Sequence, residues 1–355
     1  MDNKITKKRL GNFLAYDWIL ITIMIVVAVV FMELIFSVAR VRLTPGQSFS
    51  IYYDELVVST NQDGFEQLLE DDKTFSYDVL EVTQEVLIKD NNMLYLRLTT
   101  MEGDAIITDD KLIESGEYSA TKGRSVIDVY NIYDMDELYN DAVAYLLGFV
   151  KDSEANKYQP VENVPKQDKY PIVPEYSDLD EGKIDSNFVE RMRGDNRFRA
   201  KDKNEAGKIL ERQRIEKLCE EVKQFKYLLD LDEALYESSG KTQSYFTYYT
   251  KGKQAAELAV NTKEEAEKKD AYEKNRDNNL AKYGREEARY ALKVDMLKNG
   301  AHSANEFFRH SENTEGQASD VIVEIFDFKN FQVDLQYESI AFLNTIVRNC
   351  SNLYN

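Results

Sequence analysis

Residues Trp18 to Ala39 form one apolar run, broken only by Thr22, Glu33 and Ser37 and flanked by basic residues on both sides. No other feature constrains the chain's architecture as strongly. At 1.5 Å of rise per residue, a helix of this length measures about 33 Å, enough to cross a hydrocarbon core of roughly 30 Å. The sequence therefore predicts a tail at 1–17, a transmembrane signal anchor at 18–39 in contact with the lipid bilayer, and a water-facing remainder.

Lys4, Lys7, Lys8 and Arg9 precede the run, whereas Arg40 and Arg42 follow it. The side richer in Lys and Arg normally stays in the cytoplasm. The expected placement is a single-pass cell-membrane protein with a cytoplasmic N-terminus and an extracytoplasmic bulk. A cleaved signal peptide is the alternative, since Ser37-Val38-Ala39 offers the small residues of a cleavage site. Apolar regions of signal peptides usually span about 7–15 residues, which favours the uncleaved anchor. Glu33 falls inside the run, where insertion of a charge costs on the order of 2.5–3.5 kcal/mol. A neutral carboxyl, or one reaching headgroup water, is the bland reading of Glu33, and contact with a membrane partner the functional one.

The chain carries a net charge of −19, and residues 1–42 contribute six basic and three acidic groups, so the rest bears −22. Such a domain repels phosphates, and nucleic acid is not an expected partner. Cys219 and Cys350 lie 131 positions apart. They suggest two free core thiols rather than a disulfide framework.

Beyond the anchor the text alternates. Phe49–Tyr53 reads as a strand, Gly64–Leu69 as a short helix, Tyr77–Ile88 as a strand, 91–102 as a helix ending at Gly103, and Ala105–Ile107 as a buried strand. This order predicts an α/β layer with parallel pairing. Asp134–Phe149 reads as a helix, and four of the five prolines, at 160, 165, 171 and 174, mark a linker at 151–175. Helical spacing of apolar residues recurs at 204–230, Ser244–Tyr249 suggests a hairpin or short strand, and charge-rich 262–298 reads as helix. Val321–Phe326 and 337–350 close the chain as a strand and a helix. The predicted layout is a first lobe at 43–150, a charged, helix-rich second lobe at 176–300, and a return to the first lobe at 301–355.

The segment Leu96-Arg97-Leu98-Thr99-Thr100-Met101-Glu102-Gly103-Asp104-Ala105-Ile106-Ile107-Thr108-Asp109 resembles the helix, Gly-Asp turn and strand in lobe one of extracellular solute-binding proteins of ABC transporters. The resemblance implies a two-lobed, periplasmic-binding-protein-like fold that captures a small-molecule ligand for a membrane transporter or receptor. Ligands of open α/β sheets bind beyond the carboxyl ends of strands. On that logic the cleft rim would be formed by Thr108, Asp109 and Asp110, by Tyr53, Asp54 and Glu55, and by Asp327. The chain departs from the family in having an anchor in place of a lipidated cysteine. Its charged helical middle is a second departure, and it lacks tryptophan outside Trp18.

Catalytic signatures are missing. No Gly-x-Ser-x-Gly elbow occurs, and Ser239-Gly240-Lys241-Thr242 lacks the phosphate loop's earlier glycine because position 235 is Leu235. His302 and His310 are the only histidines and have no zinc-binding spacing. Asp178-Leu179-Asp180-Glu181-Gly182 fails the EF-hand template, whose twelfth position is Val189. The sequence thus points to a non-enzyme without metal or cofactor. The leading expectation is a membrane-tethered solute-binding protein, and the alternative is a non-catalytic interaction or scaffold protein of a membrane or cell-envelope complex.

Overall fold

The computed structural model describes residues 7, 11, 18–39, 47–54, 57–59, 61–87, 103–109, 126–129, 132–151, 171–257, 263–310, 320–327 and 336–354. It divides into two units, 1–44 and 45–355. The first contains helix α1, Trp18–Ala39, which is 22 residues long. Its described side chains, Thr22 to Glu33, are all exposed. Among residues described in full, no helix is long and apolar enough to cross a membrane.

The second unit is an α/β fold. Its strands are β1 (Ser48–Asp54), β2 (Val57–Ser59), β3 (Glu81–Leu87), β4 (Ala105–Asp109), β5 (Phe246–Tyr249), β6 (Ala288–Lys293), β7 (Phe308–His310) and β8 (Val321–Ile325). Six of them form one sheet in the order β3-β1-β4-β8-β6-β5, while β2 and β7 pair as a separate antiparallel ribbon. The β3-β1-β4 half is parallel. That parallel pairing is what the alternation over 49–107 predicts, while the β4-β8-β6-β5 half is antiparallel.

Helices α2 (Gln62–Asp71), α3 (Val126–Val129), α4 (Met135–Leu147), α5 (Glu181–Arg191), α6 (Lys201–Ser238), α7 (Lys253–Glu257), α8 (Lys263–Tyr283) and α9 (Gln336–Cys350) complete the described elements. Alternate sheet residues Phe49, Ile51, Tyr53, Ala105, Ile107, Val321, Val323 and Ile325 share one core with Phe65 of α2, Leu138 and Ala142 of α4, Leu218, Val222 and Phe225 of α6, and Phe342 and Ile346 of α9. The residues between them, Tyr52, Ile106, Thr108, Ile322 and Glu324, are also buried. Burial on both faces explains why these strands read as continuous apolar runs.

Two expectations change here. Residues 288–293 are the strand β6, not a continuation of helix: α8 ends at Tyr283, and Gly284 takes a left-handed φ of 71° that stops it. Strands β5 and β6, expected in a second lobe, lie in the same sheet as β1 and β4. The expected helix at 91–102 and most of the linker at 151–175 lie outside the described residues.

Close packing of α5 on α6 depends on Gly207. A Cβ there would run into the rings of Phe188 and Phe198, which themselves meet edge to face at 5.3 Å. Gly207→Ala is expected to destabilise the unit by about 1–3 kcal/mol, although alanine favours helix, because the fully buried Phe188 ring must shift to admit the methyl group. Urea unfolding checks this.

Candidate functional site

The expected cleft rim is not assembled as one site. Tyr53 is fully buried in the core, and its hydroxyl donates to Gln84 Oε1 at 2.7 Å. Thr108 and Asp109 end β4 and are also buried. Asp54 ends β1 opposite Leu87, at the same end of the sheet as Asp109. Glu55 and Asp110 lie outside the described residues. Asp327 follows β8, which runs antiparallel to β4 with Ala105 facing Ile325 and Asp109 facing Val321. It therefore sits at the opposite end of the sheet from the others, beside Asp104. The rule about carboxyl ends groups residues only across parallel strands, and β8 is reversed.

Most of the chemistry inside this unit is ionic. Arg289 on β6 is fully buried, with Nε 3.1 Å from Asp136 Oδ2 of α4, and with Nη1 2.7 Å from the carbonyl of Leu229 and 3.2 Å from Asp232 Oδ2 of α6. Asp232 also accepts from the Tyr245 amide and from the Tyr248 hydroxyl, each at 2.6 Å. Arg285 pairs with Asp136 as well and lies over the rings of Tyr248 and Tyr283 at 5.3 and 5.0 Å. Burial, with Asp136 next to it, pushes the Asp134 carboxyl up to about 7.

Above this centre lies a surface cleft of about 450 Å³ lined by Glu233, Tyr236, Tyr248, Lys282, Tyr283 and Arg285 among others. Tyr236 and Tyr248 stack in it with centroids 3.9 Å apart and planes within 4°. A second cleft, of about 490 Å³, has His302 and Cys350 in its wall. Burial pushes the Cys350 thiol up to about 12, so it is not poised as a nucleophile. His302 Nδ1 contacts Glu306 Oε2 at 3.0 Å.

Two further ionic centres are built the same way. Arg214 of α6 is buried between Glu211, Glu338 and Asp78, at 3.5, 3.5 and 3.8 Å. Arg191 of α5 pairs with Asp78 and with Glu211. Burial acts to raise Asp78, but Arg214 and Arg191 outweigh it and hold the carboxyl at about 2. Burial raises Glu338 to about 7 against the pull of Arg214. Arg348 of α9 pairs with Glu221 at 3.0 Å and with Asp72. Perturbed carboxylates often mark functional sites, yet structural networks perturb them equally. Each of these groups joins secondary elements. Among the described residues, no three His, Cys, Asp or Glu side chains are placed to hold a metal ion.

Sequence reasoning missed Arg289, because the charges of 285–287 made the segment look like surface helix. The available signal was the window Ala288-Arg289-Tyr290-Ala291-Leu292, in which one Arg is the only charge among apolar residues.

Asp104 gives a direct pH test. Its Oδ2 accepts from the Ser50 amide at 2.8 Å, and burial pushes its carboxyl up to about 7 from an ordinary 3.8. The folded state then binds more protons than the unfolded one between those values, so stability falls as pH rises through the window by up to about 1.4 kcal/mol per pH unit. Asp104→Asn keeps the acceptor without the charge. It is expected to match the parent near pH 4 and to exceed its stability by a few kcal/mol above pH 7, as read from urea midpoints.

No family model, curated protein or solved structure matches this chain.

Proposed function

We propose that this chain is a single-pass membrane protein, N-terminus cytoplasmic and bulk extracytoplasmic, that acts as a non-catalytic interaction component of a membrane or cell-envelope complex. The observation that carries the reading is α8. This helix has 21 residues, about 31 Å of length, and between Ala266 and Lys282 none of its described side chains is buried. Helices in globular domains normally gain their stability by packing an apolar face. Its C-terminal residue, Tyr283, is buried and hydrogen-bonds Asp134, and along the exposed stretch Asn275 Nδ2 donates to the Lys251 carbonyl at 3.0 Å and Asn279 Nδ2 to the Glu286 carbonyl at 2.9 Å. A long polar helix held this way suits an exposed docking arm. The anchor reading rests on the apolar run at 18–39 and its flanking charges.

A two-lobed solute-binding protein is the competing reading. It needs a cleft between lobes, and the sharing of one sheet by β1, β4, β5 and β6 weighs against it. The test uses the full chain in its native membrane with Asp277→Cys on α8 carrying a photo-crosslinker, and Gln62→Cys as control. Cys219 and Cys350 are buried and free, so they leave the label specific. A discrete adduct from position 277 that is missing from position 62 is expected. No adduct, together with a saturable rise in unfolding temperature on adding sugars, amino acids or peptides, would overturn the proposal in favour of solute capture.

A further inference from the structure

We infer that β3 is a self-pairing edge, along which two copies of this chain join their sheets antiparallel about a two-fold axis through Gln84. The six-stranded sheet has two ends. At one, β5 is four residues long and its register shifts between Thr247 and Tyr248, the short and irregular form in which an edge resists further pairing. At the other, β3 runs for seven residues in unbroken register with β1, contains neither proline nor lysine, and among the described residues pairs with β1 alone. Its charges are Glu81 and Glu85.

The backbone of β1 shows which groups β3 turns outward. Ser50 faces β4 with both of its groups: its carbonyl accepts from the Asp104 amide at 3.0 Å, and its amide donates to Asp104 Oδ2 at 2.8 Å. Neighbouring residues of a strand face opposite ways, so Phe49, Ile51 and Tyr53 face β3, where a parallel ladder gives them Glu81, Thr83, Glu85 and Leu87 as partners. The Glu81 amide accordingly donates to the Gln47 carbonyl at 3.3 Å. Val82, Gln84 and Val86 direct their N–H and C=O groups away from the sheet, and such a row is a template for another strand.

A second copy fits that row. The three residues are symmetric about Gln84, so a two-fold axis there pairs Val82 with the partner's Val86, Gln84 with the partner's Gln84, and Val86 with the partner's Val82, for about six hydrogen bonds. The same register sets Glu81 opposite the partner's position 87 and Glu85 opposite the partner's Thr83, so no carboxylate faces another. An axis through Thr83 would set Glu81 against the partner's Glu85, and one through Glu85 would set that residue against its own copy; like charges directly opposite destabilise a sheet. Val86, 48% exposed, gains an apolar neighbour in the partner's Val82, a residue that in each copy packs on the core. The net charge of −19 on each chain opposes association at a distance, and salt screens it.

The test mixes two versions of the full chain in detergent, Thr83→Cys and Glu85→Cys, oxidises them with copper phenanthroline and reads dimers on a non-reducing gel. Cys219 and Cys350 are buried, and the parent chain reports their background. Residues directly opposite at such a pair lie about 4.5 Å apart at Cα, within disulfide reach, whereas diagonal neighbours at about 7–8 Å lie beyond it. A crosslinked dimer from the mixture, stronger at high salt, is expected, with neither version alone exceeding the parent. Val86→Pro in both versions removes only an outward N–H, which an edge strand tolerates. It should abolish the crosslink while the urea midpoint stays near the parent's. Chains that associate through another surface, or a β3 taken by a different strand, would give no crosslink from the mixture, and that result would overturn the inference. Equal crosslinking by either version alone, or a crosslink that survives Val86→Pro, would overturn it as well. If Val86→Pro fails to fold, the comparison of the mixture with each version alone decides.

Discussion

Replacing Arg289 with Met is expected to cost the fold about 3–5 kcal/mol, the range for stripping one partner from a buried ion pair. The side chain is fully buried and joins β6 to Asp136 on α4 and to Asp232 and the Leu229 carbonyl on α6. Methionine fills most of the volume, so the loss comes from Asp232 left in the interior without its countercharge and Asp136 left with Arg285 alone. Burial already raises Asp232 above the ordinary carboxylate range while Arg289 opposes it. Without Arg289 the folded state must hold additional protons, so the deficit grows as pH rises and shrinks in mildly acidic buffer. Arg289→Lys should recover little, because a single ammonium lacks the fork that reaches both Asp136 and Asp232. Urea unfolding of the full chain in detergent, read by circular dichroism at two pH values, measures both variants against the parent. A loss below about 1 kcal/mol with no pH dependence would show that the network is not closed around Arg289.

Phe342→Ala is the second large effect, with an expected loss of about 3–5 kcal/mol. Phe342 is fully buried on α9, with its ring 5.2 Å from Phe49 of β1 and 6.1 Å from Phe65 of α2. Phe65 in turn meets Phe308 of β7 at 5.0 Å, edge to face. The aromatic set thus holds the last helix against the first strand, which lie nearly 300 residues apart in the chain. Truncation leaves a cavity that rigid rings on three elements cannot close. A shift in urea midpoint without a change in slope is the expected signature, since a cavity alters stability and not the surface exposed on unfolding. Phe342→Leu should recover more than half of the loss.

Where apolar residues followed a clear period, the sequence was legible. The strands at Phe49–Tyr53, Ala105–Ile107 and Val321–Phe326, and the helices at 134–149, 204–230 and 337–350, correspond to β1, β4, β8, α4, α6 and α9. Each buries a face whose spacing is written in the chain. The parallel pairing of β1, β3 and β4 was legible from their alternation with helices, but the direction of β8 was not, because Val321–Ile325 has the same composition whichever way it runs. That is why Asp327 was grouped with Thr108 and Asp109 although it lies at the other end of the sheet. Nor was β6: its single buried Arg matched the charges around it, and what distinguishes it, contact with Asp136 and Asp232, is set by residues 153 and 57 positions away. The same holds for Arg214, one of many charges in the sequence of α6, which is buried against Glu338 from α9.

An extracytoplasmic docking arm requires residues 45–355 to lie outside, so the orientation of the domain is the most direct test. Paired reporters fused after Asn355 decide it, one active only outside the cytoplasm and one only inside. The account predicts signal from the outside reporter alone, from a chain that resists alkaline extraction of membranes. Signal from the inside reporter would contradict it.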